Sequence, residues 1–196
     1  TINTVSQFTG KLRKIVIIML LAIDIGNTHT VIGVYAGESL ESMWRIATSR
    51  TATADELRVA LSSLFSLESL AFEDVRAGAV ASVVPSLTQA WVRAVEDAAG
   101  ATPLVCSAKT AEGLFDADYP RPAEIGADRV ADAVAARVLY GAPVVVVDFG
   151  TATNIEVVDS EGRFRGGVIA PGVQTSANAL FSHGARLPVI DLVVPP

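Results

Sequence analysis

The sequence predicts an α/β protein made of two related lobes, and two observations carry that prediction. The first is a hairpin-like stretch at residues 20–35, LLAIDIGNTHTVIGVY, which recurs at residues 144–159 as VVVVDFGTATNIEVVD. Each copy is an apolar run ending at one acidic residue, a turn through glycine and hydroxyl-bearing residues, and a second apolar run. Such runs bounded by turn residues read as a buried strand and its hairpin partner. Setting Asp148 on Asp24 places Gly150 on Gly26, Thr151 on Asn27 and Thr153 on His29, an offset of 124 residues (148 − 24). A repeat of that length is too long for a solenoid unit and fits a duplicated lobe. The second observation is the alternation of strand and helix patterns after each copy, which is the mark of a mixed α/β layer structure.

The elements follow in order. After the first hairpin, residues 44–47 read as a third strand. Thr53-Ala54-Asp55-Glu56 has capping-box spacing ahead of the apolar-periodic run 57–65, so a helix starts there. Residues 75–84, VRAGAVASVV, form a small-residue strand, with Ser82 and Ser86 at its end in turn or cap roles. Ser86-Leu87-Thr88-Gln89 is expected to open the next helix, which stops at Gly100. Residues 102–106 form a short strand and 114–122 a proline-bearing loop. An Ala/Val-rich helix spans 125–140, with Gly141 as its stop. It is apolar nearly all round, which places it between lobes or against another chain. Beyond the second hairpin come a strand at 163–170, a turn at Pro171-Gly172 and a helix at 173–180. The lobes are expected to span 19–142 and 143–196, the second incomplete.

Composition narrows the function classes. With 51% hydrophobic and 18% charged residues the chain can bury a core and is unlike a disordered protein. A net charge of −6 and no basic cluster beyond residues 11–14 argue against a nucleic-acid surface. One cysteine, Cys106, excludes an intrachain disulfide and, with no Cys/His metal spacing, suits a reducing cytoplasm. Residues 11–25 superficially resemble a signal peptide, but the apolar run soon meets Asp24, no small-residue cleavage site follows, and the run is too short to span a membrane. Residues 1–18 are expected to be an extension, with Met19 as the native start.

Two hairpins facing each other would form a cleft with two carboxylates and two Gly/Thr turns. The turns would donate to phosphates and the carboxylates would hold a cation or its waters, an arrangement suited to a metal nucleotide. Either hairpin alone reads equally well as an ordinary turn; two matched copies favour the cleft. Asp128 and Arg129 fall in the first turn of the apolar helix. Capping and a local ion pair account for them on physics alone, since a carboxylate there gains about 0.3–1 kcal/mol from the helix dipole. Alternatively, Asp128 accepts a proton from an attacking hydroxyl and Arg129 binds an anionic substrate.

Asp24-Ile25-Gly26-Asn27-Thr28, Gly126-Ala127-Asp128-Arg129, Asp148-Phe149-Gly150-Thr151-Ala152-Thr153 and the glycine-rich run 166–172 together resemble type III pantothenate kinase. The matching segments run in order from about residue 19 to 196. The resemblance implies the acetate and sugar kinase/Hsc70/actin-like (ribonuclease H-like) fold, with duplicated lobes closing on ATP. It implies ATP-dependent phosphorylation of pantothenate, the first step of coenzyme A synthesis, by a homodimer using Mg²⁺ and a monovalent cation, K⁺ or NH₄⁺. Carried onto this chain, Asp24, Ile25, Gly26, Asn27, Thr28, His29, Thr30 and Val31 would form the first phosphate loop, with Asp24 near Mg²⁺. Asp128 would be the general base, and Tyr119 with Gly126, Ala127, Asp128 and Arg129 would line the pantothenate site. Asp148 would bind the monovalent cation, and Thr151 would contact ATP. Family members continue past the Leu187-Pro188 segment, so a chain truncated at Pro196 is expected. The Bvg accessory factor proteins also resemble this family, which makes a non-catalytic regulator a competing reading beside an inactive fragment of the kinase and a related kinase acting on another hydroxyl substrate. Intact Asp24, Asp128, Arg129 and Asp148 favour the enzyme, and the Gly126–Arg129 motif favours pantothenate.

Other residues carry less. His29 and His183 have no spaced partner and form no metal site, and His183 is expected in a solvated loop. Trp44 and Trp91 read as packing residues, and Cys106 as a small buried thiol.

Overall fold

The computed structural model describes residues 18–184 and 192–193. The order of elements is β1 (Met19–Ile25), β2 (His29–Ala36), β3 (Ser39–Ala47), α1 (Ala54–Leu67), β4 (Val75–Ser82), α2 (Pro85–Ala99), β5 (Leu104–Val105), β6 (Asp116–Ala117), α3 (Ala127–Tyr140), β7 (Val144–Phe149), β8 (Ala152–Val158), β9 (Arg163–Pro171) and α4 (Val173–His183). Two sheets result, of order β3-β2-β1-β4-β5 and β6-β9-β8-β7. Each is founded on an antiparallel three-strand meander, β1-β2-β3 or β7-β8-β9. This is the duplicated-lobe α/β fold that the sequence predicts.

The first sheet separates its two faces by strict alternation. Leu21, Ile23 and Ile25 of β1 pair with Val34, Ile32 and Thr30 of β2 and point to one face, where all are buried. Helices α1 and α2 cover that face with Leu57, Leu61, Phe65, Leu87, Trp91 and Val95. Trp44 stacks on Phe65 with ring centroids 5.7 Å apart. The opposite face carries Asp24, so the core side of β1 fixes where the acidic residue emerges.

Helix α1 begins at the expected capping box: the Thr53 hydroxyl accepts from the Glu56 N–H, and the Glu56 carboxylate accepts from the Thr53 N–H. Helix α2 starts one residue earlier than expected. Pro85 occupies its first turn after Val84, which provides no side-chain cap, while Ser86 lies inside the helix. Proline needs no capping partner there because it has no N–H to satisfy. Ser82 serves the turn, its hydroxyl accepting from the Val84 N–H. Gly100 ends α2 in the left-handed conformation, φ 67°.

Three features depart from expectation. The stretch 114–122 contains strand β6, which joins the second sheet alongside β9; two residues are too short to show a period of two. Helix α3 starts at Ala127, because residues Pro122–Glu124 form a separate 3₁₀ turn. His183 is exposed, but it lies in the last turn of α4 and not in a loop.

Helix α3 packs against β4 of the first sheet and β7 and β8 of the second. Its inward residues Val130 and Ala133 join Ile125, Val158 and Phe164 in a second core. Its last turn leaves Val138, Leu139 and Tyr140 exposed.

Candidate functional site

The two hairpin turns meet. Thr28 Oγ1 and Thr151 Oγ1 lie 2.8 Å apart, one from each lobe. These residues are separated by 123 positions, not 124, and the strand registers explain why. Asp24 pairs with Val31 across the first hairpin, whereas Asp148 pairs with Asn154 across the second. The first turn closes with Gly26 N–H donating to His29 O, the second with Gly150 N–H donating to Ala152 O, one residue sooner. The return strands therefore match as Thr28 with Thr151 and Thr30 with Thr153. This corrects the sequence alignment of Thr151 with Asn27 and Thr153 with His29. The repeat persists into the next segment, where the Thr48 N–H donates to Thr28 O and the Gly172 N–H donates to Thr151 O. Gly172 must be glycine for this approach, since a Cβ would sit 2.2 Å from Gly150 O.

Around that junction lies a cleft of about 240 Å³. The first lobe lines it with Asp24, Gly26, Asn27, Thr28, His29, Val31 and Arg45. The second lines it with Asp148, Phe149, Gly150, Thr151, Ala152 and Asn154, and α3 contributes Asp128. Of the residues implied as phosphate loop, two are placed elsewhere. Ile25 is fully buried in the core, and Thr30 is buried behind the turn. The Thr30 hydroxyl lies 3.0 Å from that of Thr48, which in turn donates to Gly26 O at 2.8 Å, so Thr30 braces the turn from behind.

Asp128 sits in the first turn of α3, where its Oδ1 accepts from the Arg129 backbone N–H at 2.8 Å. That bond fixes the carboxylate and leaves Oδ2 free. Gly126 makes room for it, because a Cβ at residue 126 would lie 2.5 Å from Asp128 Oδ1. Arg129 turns away from the cleft. Its Nε donates to Oε1 of the fully buried Glu156 at 2.8 Å, and its guanidinium rests over the Phe164 ring at 5.3 Å. Arg129 Nη2 and Glu156 Oε2 are buried without a partner among the described residues. Tyr119 is exposed and, like Gly126, Ala127 and Arg129, does not line the cleft.

The cleft is strongly acidic, and the carboxyls feel it. Burial pushes the Asp24 carboxyl above the usual range, and the negative charges of Asp128 and Asp148 push it further. Asp132, one helical turn beyond Asp128 on the same face of α3, is pushed up to about 7, first by burial and then by Asp148, Glu156, Asp128 and Asp24. Sequence reasoning missed Asp132, although its i+4 spacing from Asp128 was the available signal. Burial also raises the Cys106 thiol, with Asp128 and Asp24 adding to it, so Cys106 is held as a neutral thiol.

A surplus of negative charge at a site floored by two Gly/Thr turns calls for cations. Among the described residues no three acidic or imidazole groups are close enough to hold a metal by themselves. Carboxylates spread around a cleft suit hard cations that keep part of their coordination for water and phosphate oxygens, as Mg²⁺ does. The residues present thus fit a hard cation that keeps part of its coordination for water and phosphate oxygens.

Comparison with known proteins agrees with this geometry. The family model described as type III pantothenate kinase matches residues 20–196. The type III pantothenate kinase of Moorella thermoacetica is 42% identical over 178 residues, covering 91% of this chain and 70% of that protein. That of Desulfosudis oleivorans is 44% identical over 178 residues, covering 91% of this chain and 69% of its own length.

Proposed function

Because this chain belongs to the type III pantothenate kinase family, we propose that the cleft between its two hairpin turns is where ATP and pantothenate meet. The family's reaction is the ATP-dependent phosphorylation of pantothenate in coenzyme A biosynthesis. What carries the reading onto these residues is the meeting of Asp24, Asp128 and Asp148 with both Gly/Thr turns in one cleft.

In this reading the turn at Gly26–Thr28 and its counterpart at Gly150–Thr151 hold the phosphate chain through backbone N–H groups and hydroxyls. The Thr28 and Thr151 hydroxyls, now 2.8 Å apart, separate to grip it from both sides. Asp24 would hold Mg²⁺ and Asp148 would hold K⁺ or NH₄⁺, and these cations would supply positive charge against the phosphates. Asp128 Oδ2 accepts the proton of the pantothenate hydroxyl while that oxygen bonds to the γ-phosphorus and the bond to the ADP oxygen breaks. Phosphoryl transfer needs mainly positioning, charge compensation and one base, and no nucleophilic side chain. Arg129 and Tyr119 are the residues offered to pantothenate. Arg129 is bonded to Glu156 outside the cleft lining, so its buried Nη2, without a partner among the described residues, would reach the pantothenate carboxylate only after the side chain turns toward the cleft. The apolar end of α3, where Val138, Leu139 and Tyr140 are exposed, supports a homodimer. Among the described residues no helix is long and apolar enough to cross a membrane.

Asp128→Asn tests the base assignment. Turnover is expected to fall about 10²–10⁴-fold, the usual worth of a positioned general base, with ATP affinity kept. Wild-type turnover in the variant would remove Asp128 from the chemistry. A regulatory partner interaction, by contrast, would be untouched by this change.

A further inference from the structure

We propose that Arg45 is the protein's own cation for the phosphate chain of the nucleotide, a role that rests on the ATP-site reading above. The placement follows from register. Asp24 of β1 is paired with Val31 of β2, and Val31 with Arg45 of β3. Directly opposed residues in a sheet project from the same face, so Asp24, Val31 and Arg45 form one row on the cleft side. All three line the cleft. Adjacent strands lie about 4.8 Å apart, which puts the Arg45 backbone about 10 Å from that of Asp24. An arginine side chain extended along the row covers Val31 and brings its guanidinium over the turn that follows β1.

Three further observations point to an anion there. Among the described residues Arg45 makes no ion pair, a state it shares with Arg50, Arg76, Arg93 and Arg137, and of these five only Arg45 lines the cleft. The second lobe lacks the feature: its matching row reads Asp148, Asn154, Ile169. The cation is therefore an addition to one lobe and not a by-product of the repeat. Finally, Arg129, the arginine that the sequence singled out, is engaged with Glu156 outside the cleft lining, which leaves Arg45 as the arginine that lines the cleft. Guanidinium suits the task because it stays charged and can offer two parallel N–H donors to phosphate oxygens. Nearby, Arg50 donates to Asn27 Oδ1 at 2.9 Å and so steadies the turn on which the phosphates would rest.

The test compares equilibrium binding of ATP, ADP and AMP, each with Mg²⁺, to the wild-type chain and to Arg45→Gln, Arg45→Lys and Arg58→Gln. Arg58 pairs with Asp55 and Asp97 away from the cleft and controls for net charge. Arg45→Gln is expected to weaken ATP about 10- to 100-fold, as for loss of a charge-assisted hydrogen bond. AMP should weaken much less, Arg45→Lys should recover part of the loss, and Arg58→Gln should match wild type. In turnover the change should appear in KM for ATP and not in KM for pantothenate. Unchanged ATP binding in Arg45→Gln, or equal weakening of ATP and AMP, would overturn the proposal while leaving the ATP site itself in place. Should Arg45→Gln fail to fold, Arg45→Lys still decides: a lysine variant that binds ATP no differently from AMP relative to wild type would count against a phosphate contact. A wild-type chain that binds no nucleotide would remove the ATP-site reading and Arg45's role with it.

Discussion

Asp132 shows most clearly how the cleft's charge reaches into stability. Its carboxyl is pushed up to about 7 by burial and by Asp148, Glu156, Asp128 and Asp24, against an ordinary value of 3.8. Between those two values the folded chain holds a proton that the unfolded chain has released. Stability must then fall as pH rises from about 4 to about 7, and the loss is complete above that window. Asp132→Asn removes the titrating group. Urea unfolding in Mg²⁺-free buffer is expected to show the variant more stable than wild type by about 1–3 kcal/mol at pH 8, after discounting for solvent at a partly exposed site, with little difference at pH 4. Added Mg²⁺ and ATP should narrow the gap by screening the same carboxylates. An unchanged pH slope in the variant would show that Asp132 is not the group responsible.

At the scale of elements, α3 links the two lobes, and its hold on the second joins a buried ion pair to the apolar core of Val130, Ala133, Val158 and Phe164. Arg129 reaches from α3 to Glu156 on β8, where Glu156 is fully buried. Burial tends to neutralise that carboxyl, while the Arg129 hydrogen bond and charge oppose it. Removing one partner of a buried pair strands the other, so Arg129→Met should cost about 3–5 kcal/mol in chemical denaturation. The double variant Arg129→Met/Glu156→Leu should regain much of that stability without regaining pantothenate turnover, which separates the structural role from the binding one. Recovered turnover in the double variant would show that Arg129 does not contact pantothenate.

The same helix shows what the sequence could tell. Its glycine stop was legible, and its place between lobes was one of the two positions read for it, the other being against another chain, because a mostly apolar helix must be covered on several sides. The hairpins were legible for a similar reason: apolar runs broken by Asp-x-Gly allow few alternatives. What escaped depended on register or on distant partners. The turn lengths of the two hairpins differ by one residue, so Thr28 matches Thr151, which no ungapped alignment reveals. Arg45 reaches the cleft only because β3 pairs with β2 in one particular register. Strand β6 exists because β9 is there to receive it; two residues cannot announce themselves.

For the whole molecule, the repeated meander brings two acidic turns face to face, and α3 inserts a third carboxylate between them. Core packing on the far face of the first sheet dictates which side Asp24 occupies, and α3 covers the Asp148 side of the second, where Val144 and Val158 pack with Val130. In the proposed reading the function follows from duplication: each lobe would supply a phosphate turn, and their meeting would make the site. The chain spans about 70% of the length of the Moorella thermoacetica relative, so the decisive question concerns this chain itself. The most direct measurement is phosphorylation of pantothenate by the purified 196-residue chain with ATP and Mg²⁺, in K⁺ and in Na⁺ buffer. Turnover that requires K⁺ is the expected result, and it would support both the kinase cleft and the cation role of Asp148. A folded chain that binds ATP and pantothenate yet transfers no phosphate in either buffer would contradict the claim that these residues suffice for the reaction.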